Sequence, residues 1–395
     1  MAETGRQVLI TGLGIVSCLG EGPDAHWQRL GQTAPAADTS TFAPYVVHPL
    51  VAVEFDKQIP KKGDQRQMEA WQRIGTYAAG LALDSAGAKG NAELLARMDL
   101  IVAAGGGERD CAVDSAILTG LRGAANPGAF LNERLMNDLR PTLFLAQLSN
   151  LLAGNISIVH GVTGSSRTFM GEEAAGIDAV RIAAARIAAG QSDIVLVGGA
   201  HNGERPDLLL LYESGGYALK EPFAPVFARG ARGGGMALGS LGAFLVLEGA
   251  EHAAARGAKA LARLSRVMSD RTRRRPGEAG AALARMWDSV APQVSPQHAA
   301  IISGATGAEP ATSEEHDFLK GRGVPVRATG TYIGHGPEAQ FPMNVAIAAL
   351  ALGRGALYPA DGGSDIGSSS GPLRQVIVTG VGHWRGEGIA LLEGI

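Results

Sequence analysis

Short runs of branched apolar residues recur along the chain, and each run predicts a buried β-strand. The first run, residues 7–16 (QVLITGLGIV), contains two glycines near its end, as expected of a strand that enters a tight turn. Similar runs occupy residues 98–104, 155–159 and 193–199. The first half of the chain therefore predicts a set of strands separated by longer segments.

The segments between these runs show the spacing of amphipathic helices, with apolar residues every three or four positions. This pattern predicts helices at residues 24–30, 66–87 and 176–190. In the last of these, Ile177 and Val180 fall on one side, and Gly190 provides a stop signal. Helices that alternate with strands indicate an α/β layer structure.

The same alternation begins again after a predicted strand at residues 236–248. The later predicted elements are helices at 280–290 and 342–352 and strands at 299–303, 324–329 and 375–379. Two nearly identical octapeptides, QVLITGLG at 7–14 and QVIVTGVG at 375–382, open the first and the last strands. We therefore expect two related halves, residues 1–249 and 250–395.

The composition excludes several classes of function. The net charge is −3 and aromatic residues are 5% of the chain, which argues against nucleic-acid binding. Cys18 and Cys111 have no ligand-like spacing, and the glycine-rich stretch at 230–239 lacks the GK[ST] ending of a phosphate loop. We expect no metal, no cofactor and no membrane span, and a cytoplasmic location.

Several segments together resemble one protein family. They are VLITGLGIVSCLGEG at the start, residues 59–87, ARIAAGQSDIVLVGGA at 185–200, GAFLVLEGAEHAAARGAKA at 242–260, and the pair Gly334–His335. In these segments the chain is similar to the β-ketoacyl carrier-protein synthases, specifically the elongating ketosynthases that extend fatty acyl chains on acyl carrier protein. The resemblance spans nearly the whole chain and implies a five-layered αβαβα thiolase-like fold.

The resemblance also implies a dimer and a site made of a cysteine, two histidines and a lysine. In the family, the cysteine lies at a helix N-terminus, which favours its reactive thiolate. Counting back from Gly190 and forward from Gly164 places Glu173 at that position. A carboxylate cannot carry an acyl chain as a thioester, so Glu173 indicates loss of condensation. It could close a disused site or imitate a bound carboxyl group.

Two of the three other family positions are also changed. The first histidine corresponds to Ala305, which has no donor, and the lysine corresponds to Gly330. Only His335 matches the family. It could still donate a hydrogen bond to a carbonyl group, or it could be a structural histidine beside a glycine turn.

The resemblance extends to a glycine-rich gate loop that admits the acyl chain. Here the loop reads Gly382, His383, Trp384 and Arg385, so bulky side chains replace the small flexible residues. We expect this loop to be stiffer and more filled than in the family, with reduced access to the pocket.

A cluster of arginines is the expected contact for an acidic partner. Arg271, Arg273, Arg274 and Arg275 lie within five positions and could bind the carboxylates of acyl carrier protein. The alternative is a solvated loop, which is the usual role of a charge run.

These observations predict a non-condensing partner subunit, similar to a chain-length factor. It would form a heterodimer with an active ketosynthase, or a homodimer when no partner is present, and would shape acyl-chain length in fatty acid or polyketide biosynthesis. The first alternative is an enzyme that decarboxylates or condenses acyl or malonyl carrier protein with Glu173 and His335. The second is a scaffold that binds acyl carrier protein only.

Overall fold

The structure is a computed structural model that describes residues 5–31, 36–361, 365–368 and 371–395. The strands are β1 (Val8–Ser17), β2 (Gly20–Glu21), β3 (Val47–His48), β4 (Asp99–Ala103), β5 (Ser166–Phe169), β6 (Ile194–His201), β7 (Leu238–Gly239), β8 (Leu241–Gly249), β9 (Ala262–Asp270), β10 (Ala299–Ser303), β11 (Val326–Ala328), β12 (Gln375–Val381) and β13 (Glu387–Glu393).

The helices lie between and around these strands. They are α1 (Gly22–Arg29), α2 (Lys62–Gln67), α3 (Ala70–Ser85), α4 (Ala92–Arg97), α5 (Cys111–Leu121), α6 (Pro127–Asn137), α7 (Leu143–Ala146), α8 (Leu151–His160), α9 (Glu173–Ala188), α10 (Pro206–Ser214), α11 (Ala250–Ala255), α12 (Glu278–Val290), α13 (Ala311–Lys320), α14 (Gly330–Ile333) and α15 (Pro337–Arg354).

One continuous sheet holds most of the strands, in the order β11-β10-β12-β13-β9-β1-β8-β6-β4-β5. The sheet divides into two groups of five strands, which read from the outer edge inward as β11-β10-β12-β13-β9 and β5-β4-β6-β8-β1. In each group the first three strands are parallel to one another, and the next two strands each pair antiparallel with the strand before them. The strand order is therefore the same in the two groups. The α/β class and the thiolase-like architecture are confirmed, while the boundary between residues 249 and 250 stays a prediction.

The two groups meet where β1 pairs with β9, and the register there contains only the pairs Leu9↔Arg263 and Ile10↔Ala262. Two central helices compensate for this short seam. Helix α9 contacts β4 and β6 of one group and β9 and β13 of the other, and α15 contacts β6, β8 and β12. The helices also contact one another, so the apolar core is continuous across the seam.

Close approach between α9 and α15 depends on Gly176. A Cβ at this position would lie 2.6 Å from the carbonyl oxygen of Glu338 and 3.1 Å from Cδ of Pro342. Pro342 lies inside α15 and has no N–H to offer to that carbonyl. The absence of a side chain at residue 176 lets the two helices pack at this point.

Most predicted elements are confirmed, with two informative differences. The run at 155–159, predicted as a strand, is wrong because it belongs to helix α8, in which Ile156 is buried and Ile158 is 72% exposed. A short apolar run cannot distinguish a strand from a one-sided helix. Helix α15 begins at Pro337, five residues before the predicted start at Pro342, because the buried helix tolerates an internal proline.

Across the ranges described above, no helix is both long enough and apolar enough to span a bilayer.

Replacing Gly176 with alanine is expected to lower the free energy of unfolding by about 1–3 kcal/mol, because the added methyl group overpacks the α9–α15 contact. Urea unfolding of the purified chain measures the change. Gly154→Ala is the matched control, since its added Cβ meets nothing closer than 3.9 Å in the interior of α8. The control is expected to be neutral or stabilising by up to about 1 kcal/mol. Equal losses in both variants would contradict the packing argument.

Candidate functional site

The site is built around the first residue of α9. Strand β5 ends at Phe169, and the chain turns into the helix through Gly171 and Glu172. Glu172 has φ 57° and ψ −131°, a conformation that non-glycine residues rarely adopt and that costs about 1–3 kcal/mol. This turn directs Glu173 into the protein, where its side chain is only 5% exposed.

Two histidines from distant parts of the chain converge on one oxygen of Glu173. His335 donates from Nε2 to Oε1 at 2.8 Å, and His383 donates from Nδ1 to the same oxygen at 2.9 Å. The backbone N–H of His383 lies 3.4 Å from that oxygen. Because an ionised carboxylate only accepts hydrogen bonds, both ring nitrogens must carry their protons.

The backbone around His335 is held by a short strand. Its N–H donates to the carbonyl oxygen of Ala237 at 2.8 Å, and its own carbonyl accepts from Gly239 at 2.9 Å. His383 lies in the loop between β12 and β13. The site therefore joins the start of α9, the turn before α15 and the loop before β13.

The ionisation of the three groups follows from burial and charge. Burial alone would raise the pKa of Glu173, but the two histidines hold it well below its ordinary value. Burial would lower the pKa of His383, but the charges of Glu173 and Glu172 leave it raised. Burial lowers the pKa of His335 despite its bond to Glu173. The charge of Glu173 thus favours the protonated ring of His383, whereas burial favours the neutral ring of His335.

Apolar packing surrounds Ala305 and Gly330, the two residues predicted to replace a histidine and a lysine of the family. Ala305 is 1% exposed and packs with Val226 and Ala328. A Cβ on Gly330 would lie 3.0 Å from the carbonyl oxygen of Ala305 and 3.7 Å from Cγ2 of Val226. There is no room beside Ala305 for a long side chain at residue 330 without movement of its neighbours.

The loop of residues 382–386 is fixed in place by His383. The imidazole ring is flanked edge-to-face by Tyr212, with centroids 5.3 Å apart, and by Tyr217 at 5.0 Å. The expected stiffness of this loop and the reduced access to the pocket stay predictions, and Trp384 is 58% exposed and lies at the rim. The residue that fills the interior is therefore His383, because only its ring finds hydrogen-bond partners there.

One predicted carrier-protein contact is wrong. Arg274 points inward and donates from Nε to the carbonyl oxygen of Gly382 at 3.0 Å, and it forms an ion pair with buried Glu387. Its side chain is only 10% exposed. Arg271, Arg273 and Arg275 remain exposed. The arginine run thus has two roles, since Arg274 anchors the loop of residues 382–386 and the other three face solvent.

Several residues of the site were not predicted from the sequence. A pocket of about 450 Å³ opens beside His383, and Glu172, Glu338 and Tyr212 line it. Glu338 accepts a hydrogen bond from Nδ1 of His201 at 3.0 Å. The position of Glu338 in the first turn of a helix, three residues after His335, is the one sequence signal that could have indicated it.

Three of these side chains are close enough to consider a metal ion. Ligand atoms of Glu172, Glu173 and His383 all lie within 4.8 Å of one another. However, Oε1 of Glu173 already accepts from two imidazole N–H groups, and His383 uses Nδ1 in one of those bonds. The observed hydrogen bonds satisfy this oxygen without a cation.

Neither cysteine lines the pocket beside His383. Cys18 follows β1, is buried, and has a pKa raised by that burial to about 12. Cys111 begins α5, and burial also raises its pKa. A thiol with a raised pKa is protonated at neutral pH and is a poor nucleophile.

Comparison with known proteins assigns the family. The model for "Beta-ketoacyl synthase, N-terminal domain" matches residues 5–253, which is more than half of the chain. The chain belongs to the β-ketoacyl synthase family. A 3-oxoacyl-[acyl-carrier-protein] synthase 2 of Vibrio cholerae is 28% identical over 267 residues, which cover 64% of this chain and 60% of that relative. The chain thus matches less than two thirds of that relative's length.

Solved structures support the fold over the whole chain. The ishigamide ketosynthase/chain length factor is similar with a TM-score of 0.78 at 19% identity, covering 99% of this chain and 100% of that one. The AntDE:AntF complex, a type II polyketide synthase acyl-carrier protein with its ketosynthase, gives a TM-score of 0.77 at 18% identity, with coverage of 99% and 100%. At these identities the likeness concerns the fold alone.

For this β-ketoacyl synthase family member, replacing His383 with glutamine is expected to destabilise the fold by about 3 kcal/mol near pH 6, because it leaves a buried carboxylate without its cation. Because the pKa of His383 is raised in the folded state, its contribution to the free energy of unfolding is complete at pH values below its ordinary pKa of 6.5. This contribution is lost as the pH rises through the pKa of His383 in the folded state. Because the pKa of Glu173 is lowered in the folded state, its contribution to the free energy of unfolding is lost only as the pH falls below its ordinary pKa of 4.5.

The difference in stability between the natural chain and His383→Gln should therefore shrink as the pH rises above 6.5. Urea unfolding at a series of pH values measures this difference. His298→Gln is the control, because His298 is partly exposed and its Nδ1 forms a hydrogen bond with the carbonyl oxygen of Pro372 rather than with a charged group. A pH-independent difference for His383→Gln would contradict the ion pair.

Proposed function

We propose that this protein is a non-condensing partner subunit that pairs with an active ketosynthase in fatty acid or polyketide biosynthesis. The observation that carries the proposal is Glu173, which begins α9 as a buried carboxylate bound by His335 and His383. This group has no thiol to accept an acyl chain, and both histidines are occupied by it. Among the described residues, Val226 and Ala328 pack against Ala305, the position at which the family is expected to have its second oxyanion donor.

The edge of the sheet supports a paired assembly. Strand β5 is the last strand of its side, and its two first residues, Ser166 and Arg167, are exposed. An exposed strand edge can pair with a second chain. Large exposed apolar residues also occur on α5 to α8 and directly after β5; they are Leu118, Leu135, Met136, Phe144, Leu145, Ile158 and Met170. Such residues are typical of protein–protein interfaces.

The position of β5 connects this edge to the site. The strand leads within four residues to Glu173, so a partner paired with β5 would lie close to the pocket beside His383. Met170, Leu211 and Trp384 give that pocket an apolar side. We propose that this side contributes to the space that limits acyl length in the assembly, that acyl carrier protein delivers the chain, and that the assembly is cytoplasmic.

A second candidate is an acid–base enzyme, and Glu172 favours it. Burial and the charge of Glu173 raise the pKa of Glu172, and its side chain is 35% exposed in the pocket wall. A raised pKa brings a carboxyl group closer to the range in which side chains act as general acids and bases. Within this candidate the reacting group is Glu172, because Glu173 is held by the histidines. The scaffold alternative, in which the chain only binds acyl carrier protein, needs no chemistry at all.

The chain alone is expected to form no acyl thioester, because the site has no thiol. It is also expected to release no carbon dioxide from malonyl carrier protein, because Glu173 occupies the two histidines that could stabilise the enolate oxygen. Mass spectrometry and carbon dioxide release measure the two outcomes. Thioester formation with elongation by the lone chain would overturn the main proposal. Carbon dioxide release that disappears in Glu172→Gln but persists in the control variant Lys259→Gln would favour the acid–base enzyme.

In a complex with a cysteine-bearing ketosynthase, Trp384→Ala is expected to shift the products toward longer chains, because it enlarges the rim of the pocket. Ile395→Ala is the matched control, since Ile395 is an exposed apolar residue outside the pocket. Chromatography of the released acyl products gives the length distribution. An unchanged distribution, with the complex intact, would favour the scaffold alternative.

Charge reversal of the exposed arginines tests the carrier-protein contact. The double variant Arg273→Glu, Arg275→Glu is expected to weaken binding of acyl carrier protein about tenfold or more, because like charges then face the acidic partner. Titration of the carrier protein into the purified chain or complex measures the affinity. Arg66→Glu, Arg122→Glu is the matched control, since both residues are exposed. Unchanged affinity in the first variant would exclude this loop as the contact.

A further inference from the structure

The pocket beside His383 presents polar atoms that the rest of the protein leaves without a partner. Tyr212, Glu338 and His383 line the pocket, and each of these residues is at most 6% exposed. Among the described residues, nothing forms a hydrogen bond with the hydroxyl group of Tyr212, Oε1 of Glu338 or Nε2 of His383. These three atoms are open to water, in contrast to Oε2 of Glu173 and Nε2 of His201, which are buried without a partner.

The remaining bonds of these side chains leave one free atom on each. Oε2 of Glu338 accepts from Nδ1 of His201 at 3.0 Å, so Oε1 remains for a ligand. His383 uses Nδ1 for Glu173, and its Nε2 lies 3.7 Å from Oε1 of Glu172, which is beyond hydrogen-bonding distance. The side chain of Glu172 is 35% exposed in the wall of the same pocket. Four side chains therefore offer polar atoms to whatever enters.

The free atoms are a mixed set of hydrogen-bond donors and acceptors. Glu172 and Glu338 offer carboxyl oxygens, and the hydroxyl group of Tyr212 can donate or accept. Nε2 of His383 donates when the ring is protonated, and the charge of Glu173 favours that form by raising the pKa of His383. A ligand that satisfies this set must both donate and accept.

The charges in the pocket wall favour a neutral ligand group over an ion. The wall contains two carboxyl groups, those of Glu172 and Glu338, and two basic side chains, those of His383 and Arg385. A carboxylate ligand has no donor to offer to Glu172 and Glu338. An ammonium ligand has no acceptor to offer to His383. A hydroxyl group both donates and accepts, so it is complementary to both kinds of atom.

The rest of the wall suits an alkyl chain. Met170, Leu211 and Trp384 form an apolar side, and the volume of about 450 Å³ lies within the range of about 300–1,000 Å³ that is common for small-molecule sites. A purely hydrocarbon ligand would displace water from the free polar atoms without replacing the lost hydrogen bonds, which is unfavourable. The pocket thus matches a molecule that has both an apolar part and a hydroxyl group.

We infer that this pocket binds an alkyl chain that carries a hydroxyl group, with Tyr212, Glu338 and Glu172 as the recognising residues. This ligand class rests on the proposed function, in which the pocket receives part of an acyl chain. It does not require the ketosynthase partner, because all the recognising residues belong to this chain. Binding to the lone protein therefore tests the ligand class, whereas the products of the complex test the partner role.

Calorimetric titration of the full chain compares N-acetylcysteamine thioesters of equal chain length, namely octanoyl, 3-hydroxyoctanoyl and 8-hydroxyoctanoyl. At least one hydroxylated thioester is expected to bind about tenfold or more tightly than the octanoyl thioester, because a site built for a hydroxyl group rejects the analogue that lacks it. Equal or stronger binding of the octanoyl thioester, or no binding of any of the three, would overturn the inference. Stronger binding of the 8-amino-octanoyl thioester would also overturn it, because it would identify a cation site.

Variants separate recognition of the hydroxyl group from a purely structural role. Tyr212→Phe is expected to abolish most of the preference for the hydroxylated thioester while binding of the octanoyl thioester stays equal or strengthens, because the ring still packs against His383. An unchanged preference, or an equal loss of affinity for both ligands, would contradict the inference. If this variant does not fold, Glu172→Met decides, with the same expected loss of preference. Tyr45→Phe is the matched control, since Tyr45 lies outside the pocket, and it should keep the preference.

Discussion

The carboxylate of Glu173 connects three elements that are far apart in the sequence. It lies at the start of α9, accepts a hydrogen bond from His335 in the turn that precedes α15, and accepts another from His383 in the loop that precedes β13. In a buried site, a carboxylate with two imidazole donors is stable only if all three groups keep their places, since loss of one donor leaves charge without compensation. The rest of the site follows from this constraint. The hydrogen bond from His383 fixes the loop of residues 382–386, and Arg274 donates a further hydrogen bond to the same loop.

The residues at these site positions are physically coupled rather than independent. A carboxylate at residue 173 needs donors close to it, and a histidine in the loop of residues 382–386 supplies one. With that histidine in place, Tyr212 and Tyr217 enclose its ring. On the opposite side, Ala305 and Gly330 allow Val226 to fill the volume that longer polar side chains would need. Each change is compatible with the others, and reversal of a single one would leave an unpaired or crowded group.

The sequence predicted the architecture well because long periodic segments and strand-like runs depend on local spacing. It also named Glu173 and His335 as candidates, and the structure brings these two side chains within hydrogen-bonding distance, while their roles stay a prediction. It did not predict the role of His383 as the partner of Glu173, because the two residues are 210 positions apart and only the fold brings them together. The inward turn of Arg274 was missed for a similar reason. Its partner Glu387 lies on β13, and a run of arginines by itself does not indicate which one is buried.

The seam between β1 and β9 has a consequence for how the molecule holds together. Only two residue pairs join the two five-strand groups, whereas α9 and α15 each contact strands of both groups. Cohesion therefore resides in the central helices and not in the sheet. A backbone break in the turn after α11, between the two groups, would leave the two fragments associated. Helix α9 of one fragment and α15 of the other each pack against strands of both groups. Isolated fragments would expose the apolar faces of these helices to water, so neither half is expected to be soluble alone.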